Sequence, residues 1–228
     1  ICYNIISTTD KTVEVTWRMN GYDREDIVIP QFVNYNNTQY KVIRIGNSAF
    51  QGDDITSIKL PEGLLEIGES AFQGCFITSR SIKLPEGLQS IGSSAFQSCN
   101  ITSIEIPKGL QSIGSSAFRD CDRLTSIKFP EELQSTVSIG LRAFENCDAL
   151  TSIELPKGQQ SIGERAFYGC DALTSIKLPE GLLEIGKEAF GNCANITSIE
   201  LPEGLQSIGS NAFYGCDIPS VTIPESVR

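Results

Sequence analysis

Histidine is absent from this chain of 228 residues, and its absence removes a large part of enzyme chemistry. No Ser-His or Cys-His pair can form, and no phosphate-binding glycine loop joins a strand to a helix. Paired carboxylates remain possible, but nearly every Glu occupies a recurrent position where an exposed structural role explains it better. We therefore expect no enzyme and no cofactor. The sequence offers no catalytic, cofactor-binding or metal-ligating residue.

Basic residues are scarce as well. The chain has 18 Lys and Arg against 28 Asp and Glu, a formal net charge of -10 and a pI near 4.6. Nucleic acids and anionic membranes bind proteins through clustered Lys and Arg, and no polybasic run is present. This composition predicts no nucleic-acid partner.

Long apolar runs are also missing. No stretch approaches the roughly 18 residues that span a bilayer, and the first residues lack the pattern of a signal peptide. We expect no direct membrane insertion, and we expect any signal or anchor segment to lie outside this sequence. The sequence ends at residues 226–228, where another IGxxAF half would begin. A natural end and a cropped one are both compatible with this.

What the sequence has in abundance is a repeat, marked by one Ala-Phe pair per unit. Neighbouring pairs are separated by 22, 24, 22, 26, 23, 23 and 23 residues. The pairs are Ala49-Phe50, Ala71-Phe72, Ala95-Phe96, Ala117-Phe118, Ala143-Phe144, Ala166-Phe167, Ala189-Phe190 and Ala212-Phe213. A fixed period of this size predicts a solenoid in which each coil buries its apolar face against the next.

Each unit divides into a strand and a turn. The segment TSIxLP has the β-branched, alternating character of a short strand that its Pro ends, so we expect eight parallel strands with Ile and Leu inward. Turns through Pro-Glu-Gly and a later Gly follow. The segment xxAFxxC is too short for a long helix and predicts an irregular or 3₁₀-like turn with Phe in the core.

Residues 1–44 do not follow the repeat. Their short β-branched runs, separated by polar segments, predict a β-rich N-terminal cap, which covers the apolar end of the first coil. We place the boundary between cap (1–44) and solenoid (45–228) there. We expect Trp17, the single tryptophan, to pack inside the cap.

Seven of the eight cysteines occupy one repeat position, three residues after Phe; Cys2 is the exception. A thiol that recurs once per coil behind a buried Phe predicts a ladder of buried, reduced cysteines. Disulfides between neighbouring coils are the alternative, although an odd ladder cannot pair completely. Metal binding has little support, because there is no CxxC pair.

The outward strand positions alternate in charge. From Lys83 to Glu200, five neighbouring pairs are opposite in sign, and a second series after the Pro mostly carries the opposite sign to the first. The charges either keep the coils in register or form a polar binding surface. Together with the neighbouring serines they are our candidate partner-binding face: Lys59, Lys83, Ser103, Glu105, Ser126, Lys128, Ser152, Glu154, Ser175, Lys177 and Glu200.

Three departures from the repeat stand out. Two extra residues lie near Arg80-Ser81, and Thr136-Val137-Ser138 is a three-residue insertion. Insertions in repeat proteins become surface loops that can carry binding function. Gln159 replaces an inward Leu, so we expect its amide either to be hydrogen-bonded inside or to turn to solvent.

The pattern LTSIxLPxGLxxIGxxAFxxC, at residues 150–170 and 173–193, closely resembles the BspA-like, or Treponema-type, leucine-rich repeat. The resemblance covers residues 45–228, and residues 2–5, 12–16, 27–30 and 40–42 resemble the β cap of gut and oral bacterial members. It implies a leucine-rich repeat solenoid of the α/β horseshoe kind, with a parallel sheet on one face and short turns or 3₁₀ segments on the other. It also implies an extracellular or surface-attached adhesion module and supplies no catalytic residue.

Two classes of partner are compatible with such a module. A protein-binding adhesin uses an extended repeat face, whereas a glycan-binding module usually presents clustered aromatics, and Tyr168 and Tyr214 lie two coils apart. We therefore favour protein partners, namely host matrix or cell-surface proteins or other bacteria, and a monomeric chain. Glycan binding and a purely structural cell-envelope spacer are the alternatives.

Overall fold

The repeat of about 23 residues forms one coil per Ala-Phe pair in a parallel β-solenoid. The computed structural model describes residues 1–19, 21–23, 25–130 and 137–228, and contains no helix in these ranges. No described segment is therefore a helix that could cross a membrane. The predicted solenoid is confirmed, but the described part of its turn side contains no 3₁₀ helix.

The strands are short and are numbered here in chain order. They are β1 (Cys2–Ser7), β2 (Thr12–Thr16), β3 (Asp26–Val28), β4 (Phe32–Tyr35), β5 (Thr38–Ile45), β6 (Asp54–Ile55), β7 (Ser57–Lys59), β8 (Glu66–Ile67), β9 (Phe76–Ile77), β10 (Ser90–Ile91), β11 (Ser103–Glu105), β12 (Ser112–Ile113), β13 (Ser126–Lys128), β14 (Ser138–Ile139), β15 (Ser152–Glu154), β16 (Ser161–Ile162), β17 (Ser175–Lys177), β18 (Glu184–Ile185) and β19 (Ser207–Ile208).

The longest sheet is not the one that the sequence predicts. It runs in the order β1-β2-β5-β8-β10-β12-β14 and joins the cap to five coils through the GLxxIG part of the repeat. Its coils are in register, with Ile91 opposite Ile113 and Ile113 opposite Ile139. The later coils continue this arrangement as a separate sheet, β16-β18-β19. The segment around the later Gly, which we predicted to be a turn, therefore forms parallel strands of its own, beside the TSIxLP strands.

The predicted TSIxLP strands form only in part. Three-residue strands pair as β3-β7, β11-β13 and β15-β17, and a bridge joins Ser81 to Ser103. Pairing is interrupted at the two extra residues after β9 and again between β13 and β15, beside the second insertion. The parallel pairing that we predicted on this face is therefore observed, but the number of eight strands is wrong, because residues 198–200 and 220–222 form no strand. The inward direction of Ile and the outward direction of Ser and the charged residue are confirmed.

The Ala-Phe segment is a chain of tight turns instead of a helix. In all eight coils the residue before Ala and the second residue after Phe have positive φ, for example Ser94 at 53° and Ser98 at 56°. Such left-handed residues reverse the chain within a few residues but prevent a 3₁₀ run. The N–H of each Phe from Phe50 to Phe190 then donates to the Ala carbonyl of the next coil, as Phe96 does to Ala117 at 2.7 Å.

The Phe rings stack into one column through the core. Neighbouring ring centroids are 5.1 to 5.6 Å apart, and the ring planes are within 3 to 7° of parallel. Tyr22 of the cap covers the first ring, Phe50, at 5.1 Å. We expected Trp17 to pack inside the cap, but this residue is 55% exposed. It follows the end of β2 at Thr16, so the inward alternation of Val13 and Val15 does not extend to it.

The cap and the solenoid share one apolar core, which extends from Val13 to Ala212. Strand β5 crosses the predicted boundary, because it pairs with β2 of the cap and its last residues, Arg44 and Ile45, pair with β8. The division at residue 44 stays a prediction. Gln159 is buried and its amide nitrogen donates to the Ser161 carbonyl at 2.6 Å, which agrees with the first of our two expectations.

The cysteine ladder is confirmed as buried and free. Six of its seven thiols are buried and Cys216 is half-buried, while Cys2 is exposed. Five thiols donate to the Phe carbonyl of the preceding coil, for example Cys121 to Phe96 at 3.0 Å. Burial raises the pKa of Cys99 to about 12 and that of Cys216 to about 11, and it also raises the pKa of Cys147.

These thiols should make the protein sensitive to alkali. A thiol whose folded pKa lies above its ordinary 9.0 stabilises the fold fully below pH 9 and loses that contribution as the pH rises toward the folded pKa. Each such thiol should cost about 1.4 kcal/mol of unfolding free energy per pH unit in this window. Urea unfolding at pH 8, 9 and 10 measures the slope, which Cys99→Ala should reduce and Cys2→Ala should not. A free energy of unfolding that is constant from pH 8 to 10 would contradict this account.

Candidate functional site

The candidate partner-binding face lies on the TSIxLP side of the solenoid, and its charged members are all exposed. Two of the five alternating steps form ion pairs, Lys128 with Glu105 at 3.3 Å and Lys177 with Glu154. Both occur where the strands are hydrogen-bonded in register, β11 with β13 and β15 with β17. Among the residues that the structure describes, Lys59, Lys83 and Glu200 form no ion pair. The predicted charge ladder is therefore formed in two separate rungs.

Two neighbouring hollows open on this face. The first has a volume of about 480 Å³, and its charged rim includes Lys83, Glu105 and Lys128. The second has a volume of about 580 Å³, and its rim includes Lys128, Glu154 and Lys177. The structure thus brings these five charged residues together with Ser103, which lines the first hollow. It does not bring Lys59, Ser126, Ser152, Ser175 or Glu200 to either hollow.

The floor of both hollows is apolar. Ile82, Leu84 and Ile106 line the first hollow, Ile127 and Leu155 line the second, and Phe129 with Pro130 lines both. Our sequence reasoning missed Phe129. The available signal was that Phe occupies this position in one coil only, since the other coils have Leu or Ile before the Pro. Glu131, of the second charge series, and Thr136, of the insertion, lie outside the described residues. The other two residues of the insertion do not form the surface loop that we expected, because Val137 is buried and Ser138 begins β14.

A second charged network lies on the turn side, and the sequence analysis missed it too. Glu145 is 5% exposed and is surrounded by Arg119 at 3.4 Å, Arg142 at 3.6 Å and Arg165 at 4.0 Å. Arg165 also donates to Glu188 at 2.6 Å, and this hydrogen bond lowers the pKa of Glu188. The signal was the opposite charge of corresponding residues in adjacent coils, after Phe for Arg119 and Glu145 and before Ala for Arg165 and Glu188. Glu145 in one coil thus joins Arg119 of the preceding coil and Arg165 of the next, so the network stabilises contacts between neighbouring coils.

The predicted aromatic candidates also differ in their surroundings. The Tyr168 hydroxyl accepts a hydrogen bond from the Asn192 side chain at 2.8 Å, and the Arg165 guanidinium lies over the Tyr168 ring at 4.9 Å. Tyr214 is 67% exposed. Tyr168 thus has a structural role, and the two rings do not form a shared platform. Within the described ranges, no group of three or more Cys, Asp or Glu could hold a metal ion.

The in-register coils, the Phe column and the short strands define a leucine-rich repeat solenoid. The family model for the BspA-type leucine-rich repeat region matches residues 43–138 and 134–228, with six copies. The chain therefore belongs to the BspA-type leucine-rich repeat family. Proteins of this family are typically non-enzymatic and typically surface-attached or secreted, and leucine-rich repeat folds commonly bind proteins.

Solved structures of bacterial leucine-rich repeat proteins are similar to this chain. The T. pallidum leucine-rich repeat protein is 25% identical, with a TM-score of 0.59 and coverage of 96% of this chain and 88% of its own. A Bacteroides ovatus protein is 24% identical (TM-score 0.38, coverage 100% and 88%). A leucine-rich cell surface protein of Faecalibacterium prausnitzii is 20% identical (TM-score 0.43, coverage 99% and 88%). No curated protein matches the sequence.

The two charged networks should respond differently to mutation. Lys128→Glu removes an exposed ion pair and should lower the free energy of unfolding by less than about 1 kcal/mol. Glu145→Ala removes the carboxylate that three guanidiniums share, although Arg119 keeps Asp120 and Arg165 keeps Glu188. It should cost about 1 to 3 kcal/mol, less than for a fully buried pair because the arginines are partly exposed. Urea denaturation compares the two variants. Equal losses would show that the outward charges are as structural as Glu145.

Proposed function

We propose that this protein is a non-enzymatic binding module that recognises protein partners at the cell surface or outside the cell. The observation that carries the proposal is the pair of adjoining hollows on the repeat face, with an apolar floor and a charged rim. Protein interfaces commonly combine a desolvated apolar centre with a polar rim. The family membership supports both the binding role and the location.

The rim charges are available for recognition because the fold depends little on them. Lys128 and Lys177 are 70% and 75% exposed in their side chains, so each ion pair contributes little to stability. In contact with a partner, the same charges would set register and association rate. Phe129, which is partly buried and shared by both hollows, is the proposed apolar anchor, since aromatic side chains are enriched at the centres of interfaces.

Capture on immobilised protein tests this proposal. Matrix, mucin and bacterial surface proteins are applied, and the bound proteins are quantified. The Lys128→Glu/Lys177→Glu variant should capture at least about tenfold less of the bound partner, because reversed charges oppose the partner's complementary groups. Its thermal denaturation should be nearly unchanged.

Lys11→Glu is the matched control, since Lys11 is an exposed lysine in the turn between β1 and β2 and lies away from both hollows. It should capture as much as the unmodified protein, and a chain with scrambled repeats should capture nothing. Unaltered capture by the double variant would refute the proposed site, as would an equal loss for Lys11→Glu.

A further inference from the structure

A third concave surface lies on the cap and is separate from the repeat face. It is a groove of about 490 Å³ formed by β1, β2, β4 and β5, and it is called the cap groove here. Asn4 and Asn34 line it together with six apolar or aromatic residues, Tyr3, Ile5, Val13, Val33, Tyr35 and Tyr40. It shares no residue with the two hollows, so it is independent of the proposed function.

Strand pairing places these side chains on one face of the cap sheet. Ile5 is opposite Val13 in the antiparallel pair β1-β2, and Val33 is opposite Tyr40 in the pair β4-β5. Residues that are opposite one another share a face, and residues two positions apart do so as well. Tyr3 therefore joins Ile5, and Tyr35 joins Val33.

The cap groove has a buried floor and open walls. Val13 and Tyr40 are 3% and 7% exposed, whereas Ile5 and Tyr35 on the two sides are 44% and 57% exposed. Large exposed apolar side chains on both sides of a closed floor are typical of a surface that contacts a ligand. In the part of the chain that the structure describes, no residue covers them.

The chemistry of the lining is uncharged and rich in hydroxyl groups. No Asp, Glu, Lys or Arg lines the cap groove, although the chain carries a net charge of -10. The hydroxyls of Tyr3, Tyr35 and Tyr40 form no hydrogen bond with any described residue. The cap groove thus presents aromatic faces together with unused O–H donors.

From this lining we infer that the cap groove binds a proline-rich segment of a partner protein in the polyproline II conformation. Proline residues have no N–H, so such a segment offers only carbonyl acceptors, which the tyrosine hydroxyls complement. Its rings pack on aromatic side chains, and its backbone is ordered before binding. A sugar presents many O–H donors, for which the side-chain carbonyl acceptors of the lining are those of Asn4 and Asn34 alone, against three phenolic O–H donors.

Fluorescence anisotropy with labelled acetyl-decaproline tests this inference, with a Gly-Ser decapeptide as the probe control. The full chain should bind decaproline saturably below about 1 mM, the weak end of specific binding, and should not bind the control peptide. Tyr35→Ala should weaken binding at least about tenfold, as expected for an exposed aromatic anchor. Tyr35→Phe, which keeps the ring and loses the hydroxyl, should weaken it less.

Tyr214→Ala is the matched control variant, because Tyr214 is an exposed tyrosine in the last Ala-Phe turn, and it should bind like the unmodified chain. Thermal denaturation establishes that all variants fold. The inference is overturned if decaproline does not bind, if the Gly-Ser peptide binds equally, or if Tyr35→Ala binds within about threefold of the unmodified chain. Displacement of decaproline by cellohexaose would identify a sugar site instead. A dimer in sedimentation that Tyr35→Ala abolishes would identify a second copy as the occupant.

Discussion

The column of stacked phenylalanines is the constraint on which the rest of this solenoid depends. Each ring is fixed by the turn that carries it, because the Phe N–H donates to the Ala carbonyl of the next coil. Rings about 5 Å apart require coils at the spacing of adjacent β-strands, so the ladders at Ile67, Ile91 and Ile113 follow in register. Five of the thiols complete the turn, since they donate to the Phe carbonyl of the preceding coil.

This arrangement separates structure from recognition. The turn side is occupied by interactions between coils: hydrogen bonds from the thiols, amide pairs such as Gln73 with Gln97, and the network around Glu145. The opposite side has three-residue strands whose pairing is interrupted between coils, and there the hollows open. The proposed sites therefore lie where the repeat is least regular, at Phe129 and in the cap.

Much of the fold could be predicted from the sequence, because the repeat constrains every coil in the same way. The period predicts the solenoid, and the fixed positions of Phe and Cys predict their burial. The ladder at GLxxIG could not be recognised, since a two-residue strand between a turn and a Gly has no periodicity of its own. Each Ala-Phe turn has two residues with a left-handed backbone. The one two positions after Phe is mostly Gly, Asn or Asp, which indicates that conformation, whereas the one before Ala is mostly Ser or Arg, which does not.

The candidate sites were less predictable for a physical reason. The alternating charges could be predicted from the sequence. Whether two neighbouring charges form an ion pair depends on strand pairing, which the insertions interrupt. The cap groove joins Tyr3 to Tyr35 and Tyr40, which are far apart in the chain and meet only through the pairing of four strands. Trp17 was misplaced because its strand ends one residue earlier.

The central claim is that each coil is stabilised by its neighbours through the phenylalanine column. A comparison of two Phe→Ala substitutions tests this claim most directly. Phe118 stacks on a ring at each side, whereas Phe213 stacks only on Phe190 in the described chain. Urea denaturation should show a loss of about 3 to 5 kcal/mol for Phe118→Ala and less than half of that for Phe213→Ala. Equal losses for the two variants would contradict the claim.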